Sequence, residues 1–319
     1  MELQYTFATI SLAIAKLFVL MLIGYLVYHF KLIGSDFLDT LSLLLVRLIF
    51  PALIISKTVT NFGFDMFPLW WAFPLAAMAF SVAGMLMGGA VFKLIGGDAS
   101  GAEFSASCGF QNCGYLPMNL ILFAFSGAAS DRLLIYLFLF ILGFNILMWS
   151  LVPLFLKGAI NKGFSPRVFI NPPVAATLIS LLWVALMGKG NMPNIILDPL
   201  RQLGQSAFPI AMITLGAYLS RYQAHLPDRK KSLISAVLVK IAIFPLLVLP
   251  LVVFMNIPVD VKFFLFLQAI MPTAVSLVVI GSYTGADNRF FSSVIFYSHL
   301  AAIFTIPVWI AVFNIVVKG

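Results

Sequence analysis

Charged residues are scarce in this sequence: they make up 9% of its 319 residues, whereas 62% are hydrophobic. A soluble domain carries roughly 25% charged residues, so this composition excludes a protein built mainly of soluble domains. Apolar runs of about 20 residues, long enough to cross a bilayer core, recur along the whole chain. The sequence therefore predicts an integral membrane protein.

Acidic residues are missing from the interior of the apolar runs, because all eleven lie at the ends of runs or in loops. The three histidines, His29, His225 and His299, are far apart, and no HExxH motif occurs. An intramembrane enzyme needs paired catalytic groups at depth, so this class is the least supported interpretation. The lack of acidic residues inside the apolar runs also disfavours a sodium site, although carbonyls, amides and hydroxyls can still form one.

Cysteine is nearly absent, with only Cys108 and Cys113, which lie within one apolar segment. This pattern predicts buried free thiols and excludes a disulfide framework or a zinc site. We therefore expect neither a metal nor a cofactor.

Ten apolar spans can be delimited, and they are too long and too uniformly apolar to be barrel strands, so helices are predicted. The longest interior connection, residues 157–171, is a predicted cytoplasmic linker between a first half (1–156) and a second half (172–319). Each half holds five spans. An odd number of spans makes the second half enter from the opposite side, which predicts an inverted repeat. The spans are 7–29, 36–58, 68–95, 104–126, 132–156, 172–188, 195–220, 232–255, 260–283 and 288–317.

Positive charges lie mostly in the loops and set the expected orientation. The net charge of +8 argues for contact with anionic lipid head groups and not for nucleic acid. Ten loop lysines and arginines fall on one side of the spans and six on the other. The positive-inside rule makes the richer side cytoplasmic, so both termini are expected on the other side.

Three prolines of the first half recur in the second half at nearly the same spacing. Each removes a backbone donor and clashes with the preceding turn, so it bends or breaks its helix. Paired breaks in corresponding segments point to a secondary-transporter site, although membrane helices also tolerate proline. The pairs are Pro51 with Pro209, Pro117 with Pro272, and Pro153 with Pro307.

Spans four and nine are the predicted broken segments, because glycines, amides and prolines make each a poor continuous helix. If both unwind at mid-membrane, their half-helix N-termini would attract an anion and their C-termini a cation. A simple kink in each span is the alternative. The candidate substrate-binding residues are Gln111, Asn112, Cys113, Gly114, Tyr115 and Pro117 in span four and Gln268, Met271, Pro272, Thr273 and Ser276 in span nine.

Four ionisable residues lie deep within spans, namely Lys16, Arg47, Lys240 and His299, and no carboxylate accompanies them. Ionisable residues at membrane depth are costly, so each is a candidate for a functional role. A cavity lined by cations and amides suits a carboxylate. Two alternatives stay open. Lys16 can reach toward the interface, and Lys240 can make a structural hydrogen bond to carbonyls.

Two further pairs occupy matching places in the halves, Arg47 with Gln205 and Asn145 with His299. With Lys240, they form a candidate auxiliary or coupling set. His299 is the only deep group that titrates near neutral pH, which favours a proton over sodium as the coupling ion. Its alternative role is a neutral bridge between spans five and ten.

Several short motifs together resemble the auxin efflux carrier family, which is similar in fold to the bile acid:sodium symporters. The resemblance covers essentially the whole chain. The motifs are Gly24-Tyr25, Phe50-Pro51-Ala52-Leu53, the stretch from Asn112 to Pro117, and Met271-Pro272.

The resemblance implies an all-α membrane protein with ten transmembrane helices in two inverted five-helix repeats, with spans four and nine crossing. It also implies a scaffold of spans one, two, six and seven and a moving transport domain. Bacterial members are described as permeases for malate or malonate, and plant members export auxin. The chain lacks a long central loop, and in this it resembles the compact bacterial members.

The expected function is a secondary transporter of a small carboxylate that uses elevator-type alternating access, with an anion channel as the alternative. We expect it in the cell membrane with both termini outside the cytoplasm. A homodimer through the scaffold spans is also expected, and no nucleic-acid partner.

Overall fold

The computed structural model describes residues 7–156, 171–222 and 229–318, which form helices joined by short loops. The predicted all-α class is confirmed, since no β-strand occurs in these ranges. The predicted linker at 157–171 lies, except for Asn171, outside the described residues. The helices are α1 (Phe7–His29), α2 (Ser35–Leu44), α3 (Phe50–Asn61), α4 (Ala72–Ile95), α5 (Gly101–Gly109), α6 (Tyr115–Ala124), α7 (Gly127–Phe155), α8 (Pro172–Met187), α9 (Asn194–Gln205), α10 (Ala207–Arg221), α11 (Lys230–Leu238), α12 (Phe244–Phe254), α13 (Val259–Ala269), α14 (Ser276–Thr284) and α15 (Asn288–Lys318).

Six helical rods are long and apolar enough to cross a membrane by length and composition. The other four predicted spans are short or divided: α8 is a single short helix, and α5/α6, α9/α10 and α13/α14 are pairs. The ten-span inverted repeat therefore stays a prediction. The six rods are Ile10–His29, Ser35–Asn61, Ala72–Ile95, Gly127–Phe155, Lys230–Phe254 and Asn288–Val317.

Two rods contain a π-helical turn directly before a Phe-Pro pair, Leu45–Ile49 and Val239–Ile243. Within each, the phenylalanine N–H donates to a carbonyl five residues back, Phe50 to Leu45 and Phe244 to Val239. The proline that follows has no N–H and would clash with a normal preceding turn. We attribute the wider turns to this clash, and each rod continues through its proline instead of breaking.

The predicted prolines have different outcomes. Pro153 and Pro307 do not break their helices, because they lie inside the continuous α7 and α15. Pro117 lies in the first turn of α6, where a missing N–H would have had no helical partner. Pro272 alone among the six falls within an interruption, between α13 and α14.

Helices from the two halves pack into two groups. The panel comprises α1, α2, α3, α8, α9 and α10, in which α1 packs on α10 and α3 packs on α8 and α9. The bundle comprises α4 to α7 and α11 to α15. At the centre of the panel the backbones of α1 and α10 touch: a Cβ at Gly24 would lie 2.0 Å from the Ile213 carbonyl oxygen, and one at Gly216 would lie 1.8 Å from that of Met21. Only glycine permits this approach.

Candidate functional site

The two interruptions lie against each other in the bundle. Gln111 and Thr273 form an antiparallel β-bridge, in which Asn112 N donates to Pro272 O at 2.7 Å and Ala274 N donates to Phe110 O at 2.9 Å. We call residues 110–114 and 270–275 the crossing. Unwound backbone is tolerated at membrane depth only where its polar groups are hydrogen-bonded or line a cavity. Here each interruption provides hydrogen-bond partners for some of the backbone groups of the other.

The bridge also sets the register between the two interruptions. It places Gln111 opposite Thr273, with Asn112 bonded to Pro272 and Ala274 bonded to Phe110 on either side. The two segments that the proline spacing indicated therefore meet, whereas the repeat pairing of Pro117 with Pro272 stays a prediction. Pro117 belongs to α6, after the interruption has ended.

A backbone carbonyl of α5 and a side chain of α15 hold the crossing in place. Thr273 Oγ1 donates to Ser107 O at 3.1 Å, and Thr273 N donates to Ser298 Oγ at 3.2 Å. Ser107 and Ser298 are both fully buried. Neither serine belongs to the predicted site, because a serine in an apolar helix carries no signal until its packing partner is known.

His299 contacts Asn112, not Asn145. Its Nδ1 lies 2.8 Å from the Ile295 carbonyl oxygen, and a carbonyl can only accept, so Nδ1 carries the hydrogen. In the neutral ring, Nε2 then accepts from Asn112 Nδ2 at 3.0 Å. This fixes the Asn112 amide so that its Oδ1 accepts from Leu116 N, at 3.4 Å, in the first turn of α6. The pair therefore connects α15 to the start of a half-helix.

Two glutamines at the crossing have unused hydrogen-bonding capacity. The side chains of Gln111 and Gln268 are fully buried, and within the described part of the chain neither amide oxygen nor amide nitrogen has a partner. Buried polar atoms are nearly always satisfied by protein, water or ligand. These two amides can therefore bind a polar group that the protein itself does not supply.

The half-helix N-termini are the accessible part of the crossing. The ends of α5 and α13 and most of the crossing are buried, whereas Gly114, Tyr115, Val275 and Ser276 are half-buried. The latter four lie where α6 and α14 begin. A helix start carries partial positive charge, which suits an anion. The ring of Tyr115 packs edge-on against Phe50 of the panel, with centroids 5.4 Å apart.

Two cavities lie between the panel and the two half-helices. A cavity of about 520 Å³, the α14-side cavity, is lined by Asp39 and Arg221 of the panel and Ser282 of α14. A cavity of about 430 Å³, the α6-side cavity, is lined by Lys57 of the panel and Phe123 of α6.

The two cavities are at opposite ends of the protein. Asp39 and Lys57 belong to one rod, Ser35–Asn61, and are about 27 Å apart along it at 1.5 Å per residue. Phe50, which contacts Tyr115, lies between them on that rod. The accessible end of the crossing at Tyr115 thus lies between the levels of the two cavities.

Two of the cations that line the cavities, Arg221 and Lys57, form ion pairs. Arg221 Nη1 lies 2.6 Å from Asp39 Oδ1 within the panel, and Lys57 Nζ lies 2.6 Å from Asp131 Oδ1. The second pair connects α3 of the panel to α7 of the bundle. At the same cavity the rings of Phe123 of the bundle and Phe208 of the panel also pack together, with centroids 4.7 Å apart.

The remaining predicted residues are dispersed. Arg47 is exposed on the first π-helical turn and does not reach the crossing. Asn145 accepts a hydrogen bond from Trp149 on its own helix, and Gln205 lines the α6-side cavity. Lys16 is exposed, with Nζ 5.5 Å from the centroid of the Phe123 ring. Lys240 is fully buried beside the end of α5.

Cys113, Met271 and Pro272 are buried within the crossing, and Cys108 and Cys113 are free thiols as predicted. No cluster of three or more metal-ligating side chains occurs among the residues that the structure describes. The crossing and the side chains that touch it thus combine amides, hydroxyls, backbone groups and one histidine.

A family model described as membrane transport protein matches the chain twice, over residues 9–166 and over residues 156–310. A comparison with curated proteins finds no match. The two family matches together cover nearly all of the sequence, and they agree with the helical, membrane-embedded architecture. The chain belongs to the membrane transport protein family, the auxin efflux carrier family that its motifs resemble.

Proposed function

We propose that the protein is a secondary transporter that carries a small organic anion across the membrane by elevator-type alternating access. The substrate class is a carboxylate such as malate, malonate or an auxin-like acid. The observation that carries this proposal is the crossing itself. It combines two half-helix N-termini with two unpartnered glutamine amides, and its accessible end lies between cavities at opposite ends.

The charge at the crossing supports an anionic substrate. Within the described residues no acidic side chain lies in the crossing, so nothing there repels a carboxylate. The N–H groups at the starts of α6 and α14 supply partial positive charge, and Asn112, Gln111 and Gln268 supply amide donors. A carboxylate can accept several of these hydrogen bonds at once, and each is charge-assisted and therefore stronger than the same bond to a neutral solute.

The arrangement of panel and bundle supports alternating access. In the proposed cycle the panel is the fixed scaffold, and it can form a homodimer through its outer face. The bundle then moves the crossing toward one cavity or the other, while the inverted repeat makes the two end states similar. The proposed location is the cell membrane, with both termini outside the cytoplasm on the basis of loop charge.

We favour a proton over sodium as the coupling ion. Protonation of His299 would place an N–H on Nε2, opposite the Asn112 amide nitrogen that now donates to it. The amide would have to rotate and present its oxygen to the ring, which turns its NH₂ group toward the start of α6. An added donor there would favour anion binding, and a bound anion would favour the proton in return.

Counterflow in proteoliposomes tests the function. Vesicles loaded with unlabelled malate or malonate should accumulate the labelled acid transiently, because a carrier exchanges one substrate molecule for another. An anion channel, the competing function, gives no such accumulation. A thermal-shift screen of carboxylic acids on the purified protein should identify the substrate, since a ligand of the native state raises its apparent melting temperature.

A further inference from the structure

Lys240 is a lysine inside the bundle that has no acidic partner among the described residues. It lies in the π-helical turn between α11 and α12, and its side chain is fully buried. Its Nζ lies 3.4 Å from the Cys108 carbonyl oxygen and 5.2 Å from the centroid of the Phe244 ring. Every ion pair found in the described ranges involves other residues. A buried ammonium is costly without a partner, so this placement needs an explanation.

The partner of Lys240 is the carbonyl end of a half-helix. Cys108 lies in the last turn of α5, which stops at Gly109 inside the protein. The final carbonyls of a helix lack intrahelical partners and carry partial negative charge. Gly84 and Gly88 bring α4 against this turn: a Cβ at either position would lie 2.8 Å from the nearest atom of Cys108. The close packing leaves little room for water beside it.

In transporters with interrupted helices, exposed carbonyl ends of half-helices commonly coordinate the coupling cation. We propose that the Lys240 ammonium takes the place of such a metal cation, as a permanent counterion for the carbonyl end of α5. This inference rests on the proposed function. It assigns Lys240 as a positioning residue, because it lies at the buried end of α5 and not at the accessible starts of α6 and α14.

A consequence is that anion transport needs no alkali-metal cation. The protein's own charge offsets the carbonyl end of α5 in both the empty and the loaded state. Removing the ammonium should leave a small, negatively polarised space that an external cation of similar size can fill. Lys240→Ala should therefore convert a cation-independent protein into a cation-dependent one.

The test measures the apparent melting temperature of purified protein without substrate, in choline, sodium or methylammonium chloride at equal ionic strength. Wild type should melt at the same temperature in all three salts. Lys240→Ala should melt lower in choline, which is too large for the space, and should recover with methylammonium or sodium in a saturable manner. Lys16→Ala, which removes an exposed lysine from another rod, is the matched control and should show no salt response.

Counterflow gives the second readout. Lys240→Ala should lose about tenfold or more of its activity in choline, the effect expected for one lost charge-assisted hydrogen bond, and methylammonium should restore it. If Lys240→Ala does not fold, Lys240→Gln takes its place, with the same salt series. A purely structural lysine would give a loss that no cation reverses.

Two results would overturn the inference. One is wild-type transport or stability that requires sodium. The other is a Lys240 variant that responds to no cation. Failure of the proposed function gives a different result. If wild type transports no carboxylate but cations still restore the melting temperature of Lys240→Ala, the proposed function is wrong and the role of Lys240 stands.

Discussion

At the scale of single residues, Asn112 has the most connections in the crossing. Its backbone N–H bonds to Pro272, and its side chain joins His299 to the first turn of α6. One residue thus couples both interruptions, a titratable side chain and a helix start. The backbone bridge does not depend on this side chain, so substitutions of Asn112 should leave the two interruptions paired.

Asn112→Ala should weaken carboxylate binding by roughly 1–3 kcal/mol, the range for leaving a buried donor or acceptor unpaired. Calorimetric titration with the acid found in the thermal-shift screen measures it. Asn145→Ala removes an amide that bonds only within its own helix, and its affinity should match wild type. Equal affinities for both variants would remove Asn112 from the site.

His299→Gln should abolish the pH dependence of substrate affinity. In wild type, affinity should rise as pH falls, because the protonated ring forces the Asn112 amide to turn a donor toward the start of α6. Glutamine can accept from Asn112 but does not titrate. Uptake measured across a pH series, with and without a sodium gradient, checks this. A variant that keeps the wild-type profile, or uptake that follows sodium alone, would exclude the proton role.

At the scale of elements, glycine contacts and π-helical turns determine how the rods pass one another. The α1–α10 contact depends on two glycines placed reciprocally, one from each predicted half. Both π-helical turns precede a Phe-Pro pair and carry the only basic residue of their turn, Arg47 or Lys240. One of these residues is exposed and the other is fully buried. The π-helical turn alone therefore does not determine whether its basic residue is exposed or buried.

Gly24→Ala should destabilise the protein by about 1–3 kcal/mol, the cost of overpacking a tight contact. The added methyl would meet the backbone of α10, which cannot move aside as a side chain can. Gly34→Ala is the matched control, because nothing lies within 4 Å of a Cβ at that position. Thermal unfolding in one detergent compares them, and similar melting temperatures would contradict the tight α1–α10 contact.

The sequence located the interrupted segments but not the residues that meet there. Glycines, amides and prolines weaken a helix locally, so the breaks in spans four and nine could be predicted from composition. The contact between Asn112 and His299 could not, because it joins the first interruption to a helix from the other half of the chain, 187 residues away in sequence. Arg47 illustrates a second limit. The sequence shows that Arg47 lies deep within a span, but the direction of its side chain depends on the π-helical turn that precedes Pro51.

At the scale of the whole molecule, both ends of the bundle are closed by contacts between the predicted halves. At one end Arg132 Nε lies 3.1 Å from Asp260 Oδ2 and joins the starts of α7 and α13. At the other, Asp287 N donates to Glu103 Oε1 at 2.8 Å and joins the starts of α15 and α5. These contacts favour a bundle that moves as one unit. By contrast, the panel and bundle are joined at the α6-side end by the partly exposed pair Lys57–Asp131.

Lys57→Met should shift the protein toward a state in which the α6-side cavity is wider. An exposed ion pair contributes about 0–1 kcal/mol, so the shift should be about fivefold at most. A cysteine at Gln205, which lines that cavity, should react correspondingly faster with a soluble thiol reagent. Lys262→Met is the control, since Lys262 bonds to a backbone carbonyl of the bundle. Unchanged labelling would show that the pair does not restrain the two groups.

A cysteine placed after Lys318 should react with an impermeant thiol reagent in intact cells. This follows from the bias of loop charge, which puts both termini outside the cytoplasm. The native Cys108 and Cys113 are buried, and the same chain without the added cysteine provides the background. Labelling only after lysis would reverse the orientation.

The bridge between Gln111 and Thr273 has a consequence for biosynthesis. Asn112 N and Phe110 O find their partners only in residues 272 and 274, which leave the ribosome about 160 residues later. At roughly 5–20 residues per second, that delay is about 8–32 s. During this time the first interrupted segment has unpaired backbone groups that lipid cannot accept. The insertion machinery must therefore shelter this segment until the second half of the chain arrives.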